Sequence, residues 1–178
     1  VDQVRVVAEV FLQAKYVRNM EITLNTDNAY EIIRTISDEF QGKLNIGAGT
    51  VQTYDELTKA VEAGAKFVLS PRQMTADMLA YCKKKGIVSV PGSFTPSEIG
   101  NQFAMGADIV KVFPANELSL KYAKKVCEPM GDLKLMAVGG INKENVREAL
   151  DSGYKYVGTA GGLFPKDQII QMDKARML

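Results

Sequence analysis

Ala107-Asp108-Ile109-Val110-Lys111-Val112-Phe113-Pro114-Ala115 sets one lysine in the middle of an apolar run. Strand periodicity puts Val110 and Val112 on one face and Ile109, Lys111 and Phe113 on the other, and Pro114 stops the strand. A lysine is rarely buried without a partner or a purpose. Two readings stand at this point. In the first, the ammonium escapes at the strand end or pairs with a carboxylate. In the second, a dry pocket strips the amine of its proton so that it attacks a carbonyl.

Outward from this strand, the chain alternates helix and strand. Helical spacing covers residues 2–15, then Asn19 to Leu24 reads as a strand with Met20, Ile22 and Leu24 on one face and Glu21 and Thr23 on the other. Helices are expected at 26–40, 53–63, 75–85, 95–105, 118–128 and 142–151. Strands are expected at 44–48, 67–69, 87–90, 133–138 and 156–158, and a helical tail from about Asp167. Repeating β–α units imply a parallel sheet with helices outside. Seven strands are visible and the chain opens on a helix. A (β/α)8 barrel, here a single domain over 1–178, therefore needs one strand before that helix. A doubly wound open sheet is the alternative, though its usual glycine-rich first turn is not seen.

Composition narrows the chemistry. The 178 residues are 46% hydrophobic and 24% charged with net charge +1, which gives no signature of nucleic-acid or membrane binding. No apolar run reaches spanning length. Cys82 and Cys127 lack metal spacing and read as free thiols of a reducing cytoplasm. Histidine is absent, so acid–base work falls to carboxylates, lysine, tyrosine or water.

In a parallel barrel the chemistry gathers at the C-terminal strand ends. That mouth collects Glu21, Thr23, Gly49-Thr50, Ser70-Pro71-Arg72, Pro91-Gly92-Ser93, Lys111, Phe113, Gly139-Gly140 and Gly158 to Gly162. Glu21 and Lys111 both lie opposite the aliphatic faces, so both point inward. They form either a structural ion pair or a catalytic one, and either arrangement perturbs both groups. Gly139-Gly140 and Gly161-Gly162 stand in consecutive strand–helix loops. Each pair is either a tight turn or part of a phosphate cradle of bare amides. The lysine clusters at 83–85 and 124–125 are solvated helix faces.

Six motifs in order carry a resemblance: Glu21-Ile-Thr-Leu, Gly47-Ala-Gly-Thr-Val, Leu69-Ser-Pro, Val90-Pro-Gly with Thr95-Pro, Val110-Lys-Val-Phe-Pro-Ala and Val138-Gly-Gly-Ile-Asn. They resemble the 2-dehydro-3-deoxy-phosphogluconate (KDPG) and 4-hydroxy-2-oxoglutarate (KHG) aldolase family from about residue 4 to residue 165. The resemblance implies a (β/α)8 barrel, commonly a homotrimer, whose first strand has no counterpart here. It implies Lys111 as the Schiff-base lysine and Glu21 as acid/base. It places Thr50, Pro71 and Phe113 around the pyruvyl group, and Gly139, Gly140 and Gly161 at the phosphate of a 2-oxo acid substrate. No metal or cofactor is called for. Asn25, Val138 and Gly161 depart from the family pattern, which has an arginine, a threonine and a serine there. Arg72 stands where a glycine is usual. Either it points to solvent, or it replaces the missing cation and holds the substrate's carboxylate or phosphate.

The expected chemistry is imine formation on Lys111 and cleavage of C3–C4, giving pyruvate and glyceraldehyde 3-phosphate or glyoxylate. Two other readings remain: a phosphosugar epimerase or isomerase using the same glycines, and a non-catalytic sugar-phosphate barrel. Neither requires a lysine in mid-strand.

Overall fold

The architecture is a run of β–α units wound in one direction. A computed structural model describes residues 1–164, 166–172 and 174–177. In chain order the elements are α1 (Asp2–Gln13), β1 (Asn19–Thr23), α2 (Ala29–Glu39), β2 (Asn45–Gly49), α3 (Tyr54–Glu62), β3 (Phe67–Leu69), α4 (Ala76–Lys85) and β4 (Val88–Val90). Then follow β5 (Gly92–Ser93), α5 (Pro96–Ala104), β6 (Val110–Val112), α6 (Tyr122–Met130), β7 (Leu135–Val138), α7 (Val146–Asp151), β8 (Tyr156–Gly158), α8 (Lys166–Ile170) and α9 (Lys174–Met177). Among the described residues no helix is long and apolar enough to cross a membrane.

Local chemistry sets the helix ends. Thr53 with Glu56, and Thr95 with Glu98, each form a reciprocal capping box that starts α3 and α5. Pro96 occupies the first turn of α5, where its missing N–H costs nothing. Gly86 ends α4 in the left-handed region at φ 68°. Three helices, α2, α6 and α7, start later than spacing alone predicts. Thr26–Asn28 folds into a turn before α2, with Asn28 left-handed at φ 58°. Ala115–Glu117 winds as a 3-10 turn before α6.

All neighbouring strands are parallel and form two sheets of four, β1-β2-β3-β4 and β5-β6-β7-β8. The expected strand at 87–90 continues past Pro91 as β5, which the sequence reading takes as a stop. Pro91 has no N–H and divides the run, but its carbonyl still accepts from Lys111 N at 2.9 Å. The two sheets therefore meet along one extended segment, 88–93. The parallel strands and their order are those expected of the (β/α)8 barrel; among the described residues the ladders group them as two sheets of four, with none recorded between β8 and β1.

The core lies between strands and helices. Ile22, Ile46, Val68, Val110, Val112, Leu135 and Ala137 pack outward onto Ile33, Ile36, Leu57, Leu79, Ile99 and Ala123. The opposite strand face is thereby left to the polar and glycine residues of the interior. A second small cluster joins α1 to the tail, where Val6 and Val10 meet Phe164 and Met177. Asp108 clamps the entry of β6 by accepting from Ser89 N and Ser89 Oγ, both at 2.9 Å. Cys82 is fully buried, and burial beside Asp108 pushes its thiol up to about 11, so it stays a thiol.

Candidate active site

Lys111 is 6% exposed, between two valines that are fully buried on the helix-facing side. Its Nζ lies 4.6 Å from the Phe113 ring centroid. Among the described residues it makes no hydrogen bond and no direct ion pair. Burial lowers its pKa, and the negative charge of Glu21 opposes that shift without cancelling it.

Glu21 comes from β1 and faces the same interior. It stands in register with Gly47. A Cβ at Gly49 would lie 2.8 Å from Glu21 Oε2, so the bare glycine makes room for the carboxylate. A side chain at Gly47 would likewise collide with the Phe67 ring. The carboxylate is reached by solvent through the mouth, yet the surrounding strands strip enough water from it to raise its pKa, with Lys111 pulling the other way. The two groups interact across a gap and form no contact ion pair. That favours a carboxylate and an amine sharing a pocket over a purely structural bridge.

Thr50 ends β2 at φ +61°. A β-branched residue in the left-handed region costs about 1–3 kcal/mol and persists only where its surroundings enforce it. Here Val51 N, bonded to Leu69 O at 3.0 Å, anchors the chain just beyond it. Pro71, Arg72, Gln73, Gly92, Ser93, Phe94, Glu98 and Phe113 line a cavity of about 270 Å³ at the same end of the strands. Phe113 thus faces both this cavity and the Lys111 amine. The hydroxyl of Ser93, whose register with Val112 puts it on the helix-facing side of the sheet, is buried with no hydrogen-bond partner among the described residues. Sequence reading puts Ser93 at the mouth but gives it no role, because an orphaned hydroxyl is visible only in three dimensions.

The glycine loops lie on the other side of Lys111, beyond β7 and β8. Gly139 and Gly140 have φ +103° and +70°. A Cβ on Gly140 would fall 2.6 Å from Asn116 Cβ, and one on Gly162 would strike the Ile141 carbonyl. The glycines are therefore needed for tight packing, the plainer of their two sequence readings. Their amides nonetheless keep no partner among the described residues. The amides of Asn142, Glu144 and Asn145 are already used, by the side chains of Asn145 and Asn142. Gly161 has open space around it. Thr159 Oγ1 donates to Ile141 O at 2.6 Å and ties the two loops together. Asn116, which shapes this corner, is not singled out by sequence. Its only signal is its place just after the strand-ending proline. Val138 offers no hydroxyl to the site, and Asn25 sits exposed in the turn after β1.

The family model for KDPG and KHG aldolase matches residues 2–178. A 2-dehydro-3-deoxy-phosphogluconate aldolase of Pseudoalteromonas atlantica is 35% identical over 156 residues, 86% of this chain and 71% of that protein. A KHG/KDPG aldolase of Escherichia coli is 33% identical over 169 residues, 93% of this chain and 78% of its own. Among solved structures, a KDPG aldolase from Legionella pneumophila, with pyruvate captured as a covalent carbinolamine, superposes with a TM-score of 0.88. It is 29% identical over 99% of this chain and 84% of that one. The α/β fold of parallel strands is close to these structures, which are (β/α)8 barrels. Fold and kinship define a carbon–carbon lyase of the class I aldolase type. The chain belongs to the KDPG and KHG aldolase family.

Proposed function

We propose that this aldolase cleaves a 4-hydroxy-2-oxo acid with a distal anionic group, through an imine on Lys111. The observation that carries the reading is a lone buried amine, its pKa lowered by desolvation, sharing an interior face with a carboxylate whose pKa is raised. An ordinary lysine pKa of about 10.4 leaves almost no free amine at pH 7, so the lowering supplies the nucleophile.

Neutral Lys111 Nζ adds to C2 of the substrate and gives a carbinolamine. Loss of water leaves the iminium. Glu21, directly or through one water, takes the proton of the C4 hydroxyl. The C3–C4 pair flows into the iminium as the aldehyde leaves, and an enamine remains. Protonation at C3 and hydrolysis release pyruvate and restore the amine. Glu21 suits both directions of transfer because burial brings its pKa toward the working pH. Thr50, Pro71 and Phe113 surround the pyruvyl part in this scheme. The free amides of Gly139, Gly140 and Gly161 receive the distal anion, a phosphate in 2-oxo-3-deoxy sugar acids and a carboxylate in 4-hydroxy-2-oxoglutarate. The same reading carries a homotrimer, supported by exposed apolar side chains such as Phe94, Met105 and Met130. It also carries a cytoplasmic location, supported by two free thiols.

Pyruvate release from 4-hydroxy-2-oxoglutarate and from 2-dehydro-3-deoxy-6-phosphogluconate, measured in a coupled assay, tests the proposal. Wild-type protein should turn over at least one of them, and Lys111→Arg neither, because a guanidinium never supplies a neutral amine. Turnover by Lys111→Arg near the wild-type rate would end the imine reading.

A further inference from the structure

We propose that Arg72 is a specificity-determining residue of this aldolase. It receives the carboxylate attached to the carbonyl carbon that Lys111 attacks. The inference rests on the imine reading above and adds the group that selects a 2-oxo acid over an uncharged ketone.

Two observations carry it. First, the backbone of Arg72 is held from both sides. Its N–H donates to Ser70 Oγ at 3.2 Å, and its carbonyl accepts from Gly92 N at 2.9 Å. Gly92 permits this approach because a Cβ there would lie 2.6 Å from the Pro71 carbonyl carbon and oxygen. Gly92 is also the register partner of Lys111. Arg72 and Lys111 are thus two strand spacings apart, about 10 Å across the backbone, and each side chain is long enough to reach a small acid lying between them.

Second, among the described residues Arg72 is the one cationic side chain lining the cavity it shares with Phe113, and Phe113 lies against the Lys111 amine. Its guanidinium has no ion pair or side-chain hydrogen bond among the described residues, so its planar fork of donors is unspent. The anion facing it across the cavity, Glu98, is already committed. Glu98 Oε2 accepts from Phe94 N and Thr95 N, both at 2.8 Å, as the cap of α5.

A carboxylate accepts charge-assisted hydrogen bonds from a guanidinium, about twice as strong as those an uncharged substituent accepts.

The geometry also fixes which anion this is. Arg72 lies on the β3–β5 side of Lys111, and the free glycine amides lie on its β7–β8 side. In a 2-oxo acid the carboxylate and the rest of the chain leave the carbonyl carbon along separate, diverging bonds. One side takes the carboxylate and the other the distal end.

Borohydride trapping on the full chain provides the test, with pyruvate and its uncharged methyl ester as paired probes and labelling read by mass on Lys111. In wild-type protein pyruvate should label at lower concentration than the ester. Arg72→Ala should raise the pyruvate concentration for half-maximal labelling about tenfold or more, the usual worth of a charge-assisted hydrogen bond. It should leave the ester within about twofold. Arg72→Lys should recover part of the loss, since it keeps the charge without the fork. An unchanged pyruvate half-point in Arg72→Ala would overturn the proposal. So would an equal shift for both probes, which would mean a general distortion of the site. If neither probe labels wild-type protein, the imine reading itself fails and takes this proposal with it.

Discussion

At the scale of single residues, the site is governed by two groups that burial pushes in opposite directions. Lys111 is driven toward its neutral form and Glu21 toward its protonated form, and each moderates the other. Removing the charge of Glu21 removes the one influence that raises the lysine. Glu21→Gln should therefore shift the limb of kcat/KM that tracks the free amine to lower pH. It should also slow turnover about 10²–10⁴-fold, the usual worth of a general acid or base. A limb that stays in place would mean the two groups do not sense each other. For stability the sign is different. A lysine whose folded pKa is depressed holds fewer protons than the unfolded chain, so the fold gains stability as pH rises from the folded toward the unfolded value. Below that window its ammonium is a cost to the fold. Lys111→Met should thus melt higher than wild type at pH 7 while losing all cleavage. A lower melting temperature would contradict the desolvation account. Thr50 is a second strained position. Thr50→Gly should keep or raise the melting temperature by relieving up to about 1–3 kcal/mol, and should reduce turnover. A clear loss of stability would show that its conformation is not strained.

At the scale of elements, the positions of Lys111 and Glu21 were legible because strand periodicity alone assigns faces. Two valines beside Lys111 and two aliphatics beside Glu21 mark the outward sides, and the packing follows them. The starts of α3 and α5 at Thr53 and Thr95 were legible too, and capping boxes hold them there. The start of α6 was not legible, because residues 118–121, read as its first turn, form a bend and a turn, and the helix begins at Tyr122. Nor was β5, since Pro91 reads as a stop while its carbonyl still joins the ladder. The glycine loops are the case in which both readings hold. Gly140 is required by Asn116, a contact no local pattern announces, and its amide still stays free. Gly140→Ala should destabilise the protein by about 1–3 kcal/mol, through the clash and the positive φ together, measured by denaturant unfolding. Unchanged stability would mean the loop has room to spare.

At the scale of the whole molecule, order along the chain becomes order around the mouth. The carboxylate receiver, the amine and the free amides come from β3–β5, β6 and β7–β8, with Glu21 reaching across from β1. The parallel winding could be read from the repeating pattern, and so could the seven-strand count once 88–93, which holds β4 and β5, is taken as one segment. The packing of α1 on the tail was also hidden, because it joins the two ends of the chain through Val6, Val10 and Phe164. The central claim is that Lys111 is the nucleophile, and one measurement reaches it most directly. Wild-type protein is treated with pyruvate and borohydride, digested, and mapped by mass spectrometry. The account predicts a reduced pyruvyl adduct on Lys111 and none on the exposed lysines at 83–85. An adduct elsewhere, or no adduct in a folded protein that cleaves its substrate, would contradict it.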